Sequence, residues 1–122
     1  MKMDGWIFID KPREISSFAV IRKLRKILNI KKIGHAGTLD PFATGVLAVA
    51  LGEATKSVSY FNARKFYQFR VLFGISKDTD DITGKTLETS DTIPLKKDID
   101  LCLKHFVGLQ PQIPPKYSAV KI

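Results

Sequence analysis

Cysteine is all but missing from this chain of 122 residues: Cys102 stands alone, so no intrachain disulfide can form and a reducing cytoplasm is the natural compartment. Histidine is scarce too. With His35 and His105 far apart and a single thiol, the chain lacks the ligand set of a structural zinc site, and no metal is expected. No apolar run approaches the roughly 20 residues that span a bilayer, so no membrane-spanning segment is expected. Met1-Lys2-Met3-Asp4-Gly5 leads directly into a short strand-like stretch with an acid at each end, a poor signal peptide. Internal repeats and low-complexity tracts are absent. Acids are outnumbered, 12 against 20 basic residues, and the net charge of +8 favours an anionic partner. Nucleic acid fits that best, with membrane surfaces and acidic proteins left open. What is present in quantity is ordinary: 44% hydrophobic and 26% charged residues, the composition of one small globular domain.

Patterning gives a mixed architecture. Trp6 to Ile9 reads as a short buried strand closed by Asp10-Lys11-Pro12. Ser16 and Ser17 are N-cap candidates for a helix to about Asn29, in which Val20, Ile21, Leu24, Ile27 and Leu28 recur at helical spacing. Its other face carries Arg22, Lys23, Arg25 and Lys26, followed by Lys31 and Lys32; this is either a solvated helix face or a phosphate-contacting stripe. Val46 to Leu51 predicts a buried strand and Ala54 to Asn62 a short helix. Lys65 to Phe73 alternates, with Tyr67, Phe69, Val71 and Phe73 on one side, and predicts a half-buried strand. Asp78, Asp80, Asp81 and Gly84 mark the turn of a hairpin whose returning strand is Thr86 to Thr89. Ile99, Cys102, Leu103 and Phe106 stripe a second helix ending near Gly108, with His105 beside the stripe as a structural residue, and Tyr117 to Ile122 begins another strand. The fold class is therefore α+β.

Between the basic helix and the Val46 strand lies Gly34-His35-Ala36-Gly37-Thr38-Leu39-Asp40-Pro41-Phe42-Ala43-Thr44-Gly45-Val46-Leu47. One carboxylate, Asp40, sits among glycines and a proline, residues that open or fix backbone angles. Such a loop can hold an acid in a set pose while a large ligand approaches the backbone. By spacing alone, an Asp before Pro is more often a turn-capping residue. A nucleotide phosphate loop would need a Gly-Lys-Ser/Thr that does not follow. Hydrolase chemistry through His35 and Asp40 would need a serine in a nucleophile elbow, which is lacking.

The wording of this loop resembles the catalytic loop of the bacterial tRNA pseudouridine-55 synthases, the TruB family. Gly5-Trp6-Ile7-Phe8-Ile9-Asp10-Lys11-Pro12 with Ser16-Ser17, Leu51-Gly52-Glu53-Ala54-Thr55-Lys56, Tyr67, and Pro114-Pro115-Lys116-Tyr117-Ser118-Ala119-Val120-Lys121 are similar to further family segments in the same order. The Phe42-Ala43-Thr44 continuation favours the stand-alone bacterial branch over the guide-RNA-dependent synthases. The resemblance implies a pseudouridine synthase fold, a mixed and largely antiparallel sheet with flanking helices, incomplete in this chain. It implies isomerisation of uridine-55 in the tRNA T-loop by base flipping, with no cofactor, on a monomeric cytoplasmic protein. Asp40 becomes the catalytic carboxylate. Tyr67 becomes the residue stacked on the extruded base, its hydroxyl a candidate proton acceptor. His35 becomes a wedge in the T-loop. Lys11 supports the loop or a phosphate, Tyr117 and Lys121 border the cleft, and Arg22, Arg25, Lys31 and Lys32 meet RNA. Asp81 matches an acid near the base pocket, or is simply an acid in a solvated loop.

Family members continue well beyond the Tyr-Ser-Ala-Val-Lys motif. Residues 1–122 are therefore expected to be the N-terminal portion of a pseudouridine synthase catalytic domain. The remainder of that domain, an arginine that pairs with the aspartate, and a C-terminal RNA-binding extension are expected to be absent from these residues. Residues 1–122 alone are expected to be inactive. Two other readings stay open: a non-catalytic RNA-binding remnant, and part of a guide-RNA-dependent rRNA synthase.

Overall fold

In the first forty residues, capping chemistry and apolar spacing agree on where a helix starts and stops. Ser16 is the N-cap, its Oγ accepting the Ala19 N–H at 3.1 Å. The helix α1 runs Ser17–Leu28 and closes on Asn29, which takes the left-handed conformation at φ 51°. Arg25 and Lys26 in its last turn complement the helix dipole. The structure, a computed structural model, describes residues 3–115 and 117. These divide into two units, one up to Phe66 and one from Tyr67 on.

The first unit holds a three-stranded antiparallel sheet in the order β1 (Gly5–Lys11), β3 (Gly45–Leu51), β2 (Ile33–Ala36). Registers are continuous, from Gly5 opposite Leu51 to Lys11 opposite Gly45, and from Ile33 opposite Leu51 to Ala36 opposite Ala48. On one face Leu47, Val49 and Leu51 pack with Ile33 and with Val20 and Ile21 of α1. On the other face small residues make room for a 3-10 helix, Gly52–Tyr60. A Cβ at Gly34 would touch Thr55 and Val58 of that helix, and Trp6 donates its indole N–H to Ser57 Oγ at 3.2 Å while stacking on Phe61. From Ala48 to Leu51 β3 is thus covered on both faces and paired on both edges. That is why its apolar run is continuous rather than alternating.

β2 is an addition to the sequence-based reading, which left Ile33–Ala36 inside the loop. The predicted helix at Ala54–Asn62 is the 3-10 helix. The second unit contains the expected hairpin, β4 (Ile75–Lys77) with β5 (Thr86–Thr89), and the helix α2 (Lys96–Leu103), continued by a 3-10 turn at Lys104–Phe106. The strand predicted over Lys65–Phe73 is not formed. Alternation fits a strand only if another strand takes up its amides and carbonyls, and among the described residues none pairs there. Tyr67 is consequently 68% exposed instead of lying on a half-buried face. The strand expected at Tyr117–Ile122 lies outside the described residues apart from Tyr117, which is in a bend.

Candidate active site

The acid-bearing loop leaves the sheet where β3 outruns β2. Past Ala36, β3 is paired only with β1, and the connection spans residues 37–44. Gly37, at φ 94°, turns the chain out of β2 in a conformation L side chains rarely adopt. Asp40 opens a tight turn in which the Ala43 N–H bonds to the Asp40 carbonyl at 3.0 Å. Gly45, at φ 144°, returns the chain to β3 with Leu39 packed over it. Asp40 itself is exposed, and among the described residues no hydrogen bond or ion pair reaches its carboxylate.

Lys11 lies beneath this loop with 0% exposure, at the end of β1 and opposite Gly45. Its Nζ donates to the carbonyls of Pro12 (2.8 Å), Ile15 (2.8 Å) and Pro41 (3.2 Å). An ammonium has three N–H donors, and all are engaged. Of the two roles the resemblance left to Lys11, loop support and phosphate contact, this geometry fits the first. Ser17, at the first position of α1, bonds both backbone groups of Leu39.

His35 stands on β2, half-buried, with Nδ1 2.5 Å from the Gly37 carbonyl. A carbonyl only accepts, so Nδ1 is the donor in this bond. The imidazole is thereby tied to the start of the acid loop. Lys65, which no motif singles out, also reaches it: its Nζ lies 3.5 Å from where a Cβ on Gly37 would sit.

The basic residues of α1 are exposed, with the Arg22 guanidinium 5.9 Å from the Phe18 ring centre. Lys31 is exposed and unassigned, whereas Lys32 bonds Glu53 at 3.2 Å and Lys56 meets the same carboxylate at 2.5 Å. Hydrogen bonds from Lys56 and Lys32, reinforced by their charges, hold the Glu53 carboxyl down at about 2, and Glu53 raises Lys56. Two cations against one anion leave this cluster net positive.

In the first unit, then, Lys11 of β1 and His35 of β2 both bond to the loop that carries Asp40. Tyr67, Asp81 and Tyr117 belong to the second unit. Asp81 uses one oxygen to accept the Thr79 hydroxyl and the Thr83 hydroxyl and N–H, at 2.6–2.8 Å. Those bonds, Thr83's first, lower its carboxyl below the usual range. This is the turn-building acid of a hairpin. Tyr117 is exposed, and Lys121 lies outside the described residues.

Comparison with known proteins bears on what such a loop does. A family model described as TruB family pseudouridylate synthase (N terminal domain) matches residues 25–122. The tRNA pseudouridine synthase B of Ehrlichia chaffeensis is 50% identical over 121 residues, which cover 98% of this chain and 41% of that protein. That of a Ruegeria species is 51% identical over 121 residues, 98% of this chain and 40% of that protein. The chain thus spans about two-fifths of the length of these curated relatives. Among solved structures, "Crystal Structure of a Cbf5-Nop10-Gar1 Complex" superposes with a TM-score of 0.62 at 33% identity, covering 96% of this chain and 31% of that one.

Proposed function

This chain belongs to the TruB family of pseudouridylate synthases, and we propose that the protein carrying it converts uridine-55 in the T-loop of tRNA to pseudouridine. The uridine flips out of the RNA, which costs a few kcal/mol. Stacking on the Tyr67 ring offsets part of that. The Asp40 carboxylate acts at the sugar. The N1–C1′ bond breaks, the base turns in the pocket, and C5 bonds to C1′. C5 then loses its proton and N1 gains one, so the formula is unchanged and no cofactor, metal or redox partner enters the balance. His35 enters the T-loop, and Arg22, Arg25, Lys31 and Lys32 meet phosphates. The protein works as a cytoplasmic monomer.

What supports this reading most is the treatment of Asp40: an exposed carboxylate that no described residue bonds, on a loop whose neighbouring residues are tied to buried side chains. A turn-capping aspartate would spend an oxygen on nearby hydroxyls and amides, as Asp81 does. The stand-alone branch is favoured over a guide-RNA-dependent one, because the tRNA pseudouridine synthase B of Ehrlichia chaffeensis is 50% identical over 98% of this chain. Asp40→Asn in the full-length protein tests the assignment. Pseudouridine formation on an unmodified T-stem-loop should fall by at least about a thousandfold while the RNA still binds, the pattern of a group needed in the transition state alone. Turnover within a few-fold of wild type removes Asp40 from the role.

A further inference from the structure

The loop carrying Asp40 is held on both sides of the acid. Ser17 is 1% exposed. Its hydroxyl accepts the Leu39 N–H at 2.9 Å and donates to the Leu39 carbonyl at 3.0 Å, a two-way bond between residues 22 apart. On the far side, the buried Lys11 holds the Pro41 carbonyl. The residues immediately before and after Asp40 are each fastened to a buried polar side chain, and among the described residues none bonds the carboxylate between them.

The hydroxyl of Ser17 is not needed to start the helix. Ser16 does that through its bond to Ala19 N–H. A hydroxyl is the smallest side-chain group that can donate and accept at once. Alanine there would leave both backbone groups of Leu39 without that partner.

Resting on the reading of Asp40 as the catalytic carboxylate, we propose that Ser17 is a positioning residue for the reaction. Together with Lys11 it fixes the Leu39–Pro41 backbone and so the point from which Asp40 reaches the sugar of the flipped nucleotide. Reacting atoms must be held about 3–3.5 Å apart, and a displacement of about 1 Å can cost on the order of a hundredfold in rate.

The test is Ser17→Ala in the full-length protein, with single-turnover rates on an unmodified T-stem-loop RNA and RNA affinity measured separately. The rate should fall about 10- to 100-fold, with affinity within about threefold. Hydrogen exchange at the Leu39 amide should speed up, while the amides of Leu47 to Leu51 keep wild-type protection. Ser17→Thr, which retains the hydroxyl, should restore both rate and Leu39 protection. A wild-type rate in Ser17→Ala overturns the proposal. So does a rate loss accompanied by lost protection throughout β3, which would make Ser17 a stability residue only. Should Ser17→Ala not fold, Ser17→Cys places a weak donor and acceptor at the same point, and the same contrasts apply. Asp40→Asn run in parallel separates the two ideas. If it stays active, the reading of Asp40 fails and this proposal with it. If it is dead while Ser17→Ala is fully active, only the role of Ser17 fails.

Discussion

Every buried apolar residue among those described lies before Phe66; from Tyr67 onward none of them is buried. Val49 is 0% and Leu51 2% exposed, while Phe69 is 78% and Leu87 64% exposed, although both stretches are rich in strand-forming residues. The difference lies in what each strand has beside it. β3 has a partner on each edge, α1 on one face and a 3-10 helix on the other. The β4–β5 hairpin has two strands and a register shift between Ser76 and Lys77. A two-stranded hairpin alone is at best marginally stable. Hydrophobic side chains are thus buried by the layers around them, not by their own composition.

The sharpest way to break this comparison is to cut the same kind of volume from both units. Leu47→Ala should cost about 2–5 kcal/mol, because the hole it leaves is walled on every side. Phe69→Ala should cost less than about 0.5 kcal/mol, the usual figure for a surface change. Urea denaturation of the two variants measures both. Equal losses would mean that the second unit is packed in solution as tightly as the first.

The same contrast explains what was legible in the residues themselves. α1 could be bounded because Ser16 and Asn29 carry their capping roles locally, and the hairpin because Gly84 and its neighbouring acids mark a turn. β2 was missed because it is four residues long and half of it is Gly34 and Ala36, weak strand formers. Lys65–Phe73 was misread because alternation reports which side of a strand would be apolar, not whether a partner exists. At the candidate site, Asp40 and His35 could be picked out by motif. The resemblance left loop support as one of two roles for Lys11, but no pattern in the residues shows that its side chain is buried or what it bonds. Ser17 reads as a second capping candidate, and its bond to Leu39 spans 22 residues with no spacing rule to betray it.

A second, smaller contrast sets Lys11 against Lys77. Both donate from Nζ to backbone carbonyls: Lys11 to those of Pro12, Ile15 and Pro41, Lys77 to Ile82 at 3.3 Å and Gly84 at 2.9 Å. Lys11 is fully buried and Lys77 only half-buried. Lys11→Met should therefore destabilise by about 1–3 kcal/mol, since its carbonyls lose a charged donor that little water can replace. Lys77→Met should cost no more than about 1 kcal/mol, because solvent takes over. Thermal unfolding ranks the pair, and a reversed order would place the better-shielded network in the second unit.

The finest contrast is between two depressed carboxyls, one per unit. Glu53 is held near 2 by two lysines, Asp81 is lowered by neutral hydroxyls and an amide. In both, the folded state binds its proton less readily than the unfolded chain. Each therefore adds stability above the ordinary carboxylate range and loses it as pH falls through the folded value. For Glu53 that window runs from its ordinary 4.5 down to about 2. Both groups are solvent-accessible, so the effects are small, and salt tells them apart. Added salt at about 1 M shortens the screening length to about 3 Å and weakens exposed charge pairs, whereas short hydrogen bonds from uncharged donors are little affected. Carboxyl NMR titrations at low and high salt should show Glu53 moving back towards 4.5 and Asp81 staying where it was. If Glu53 does not move, its depression comes from hydrogen-bond geometry rather than charge. Lys32 would then be bound to it firmly enough to be unavailable to a phosphate.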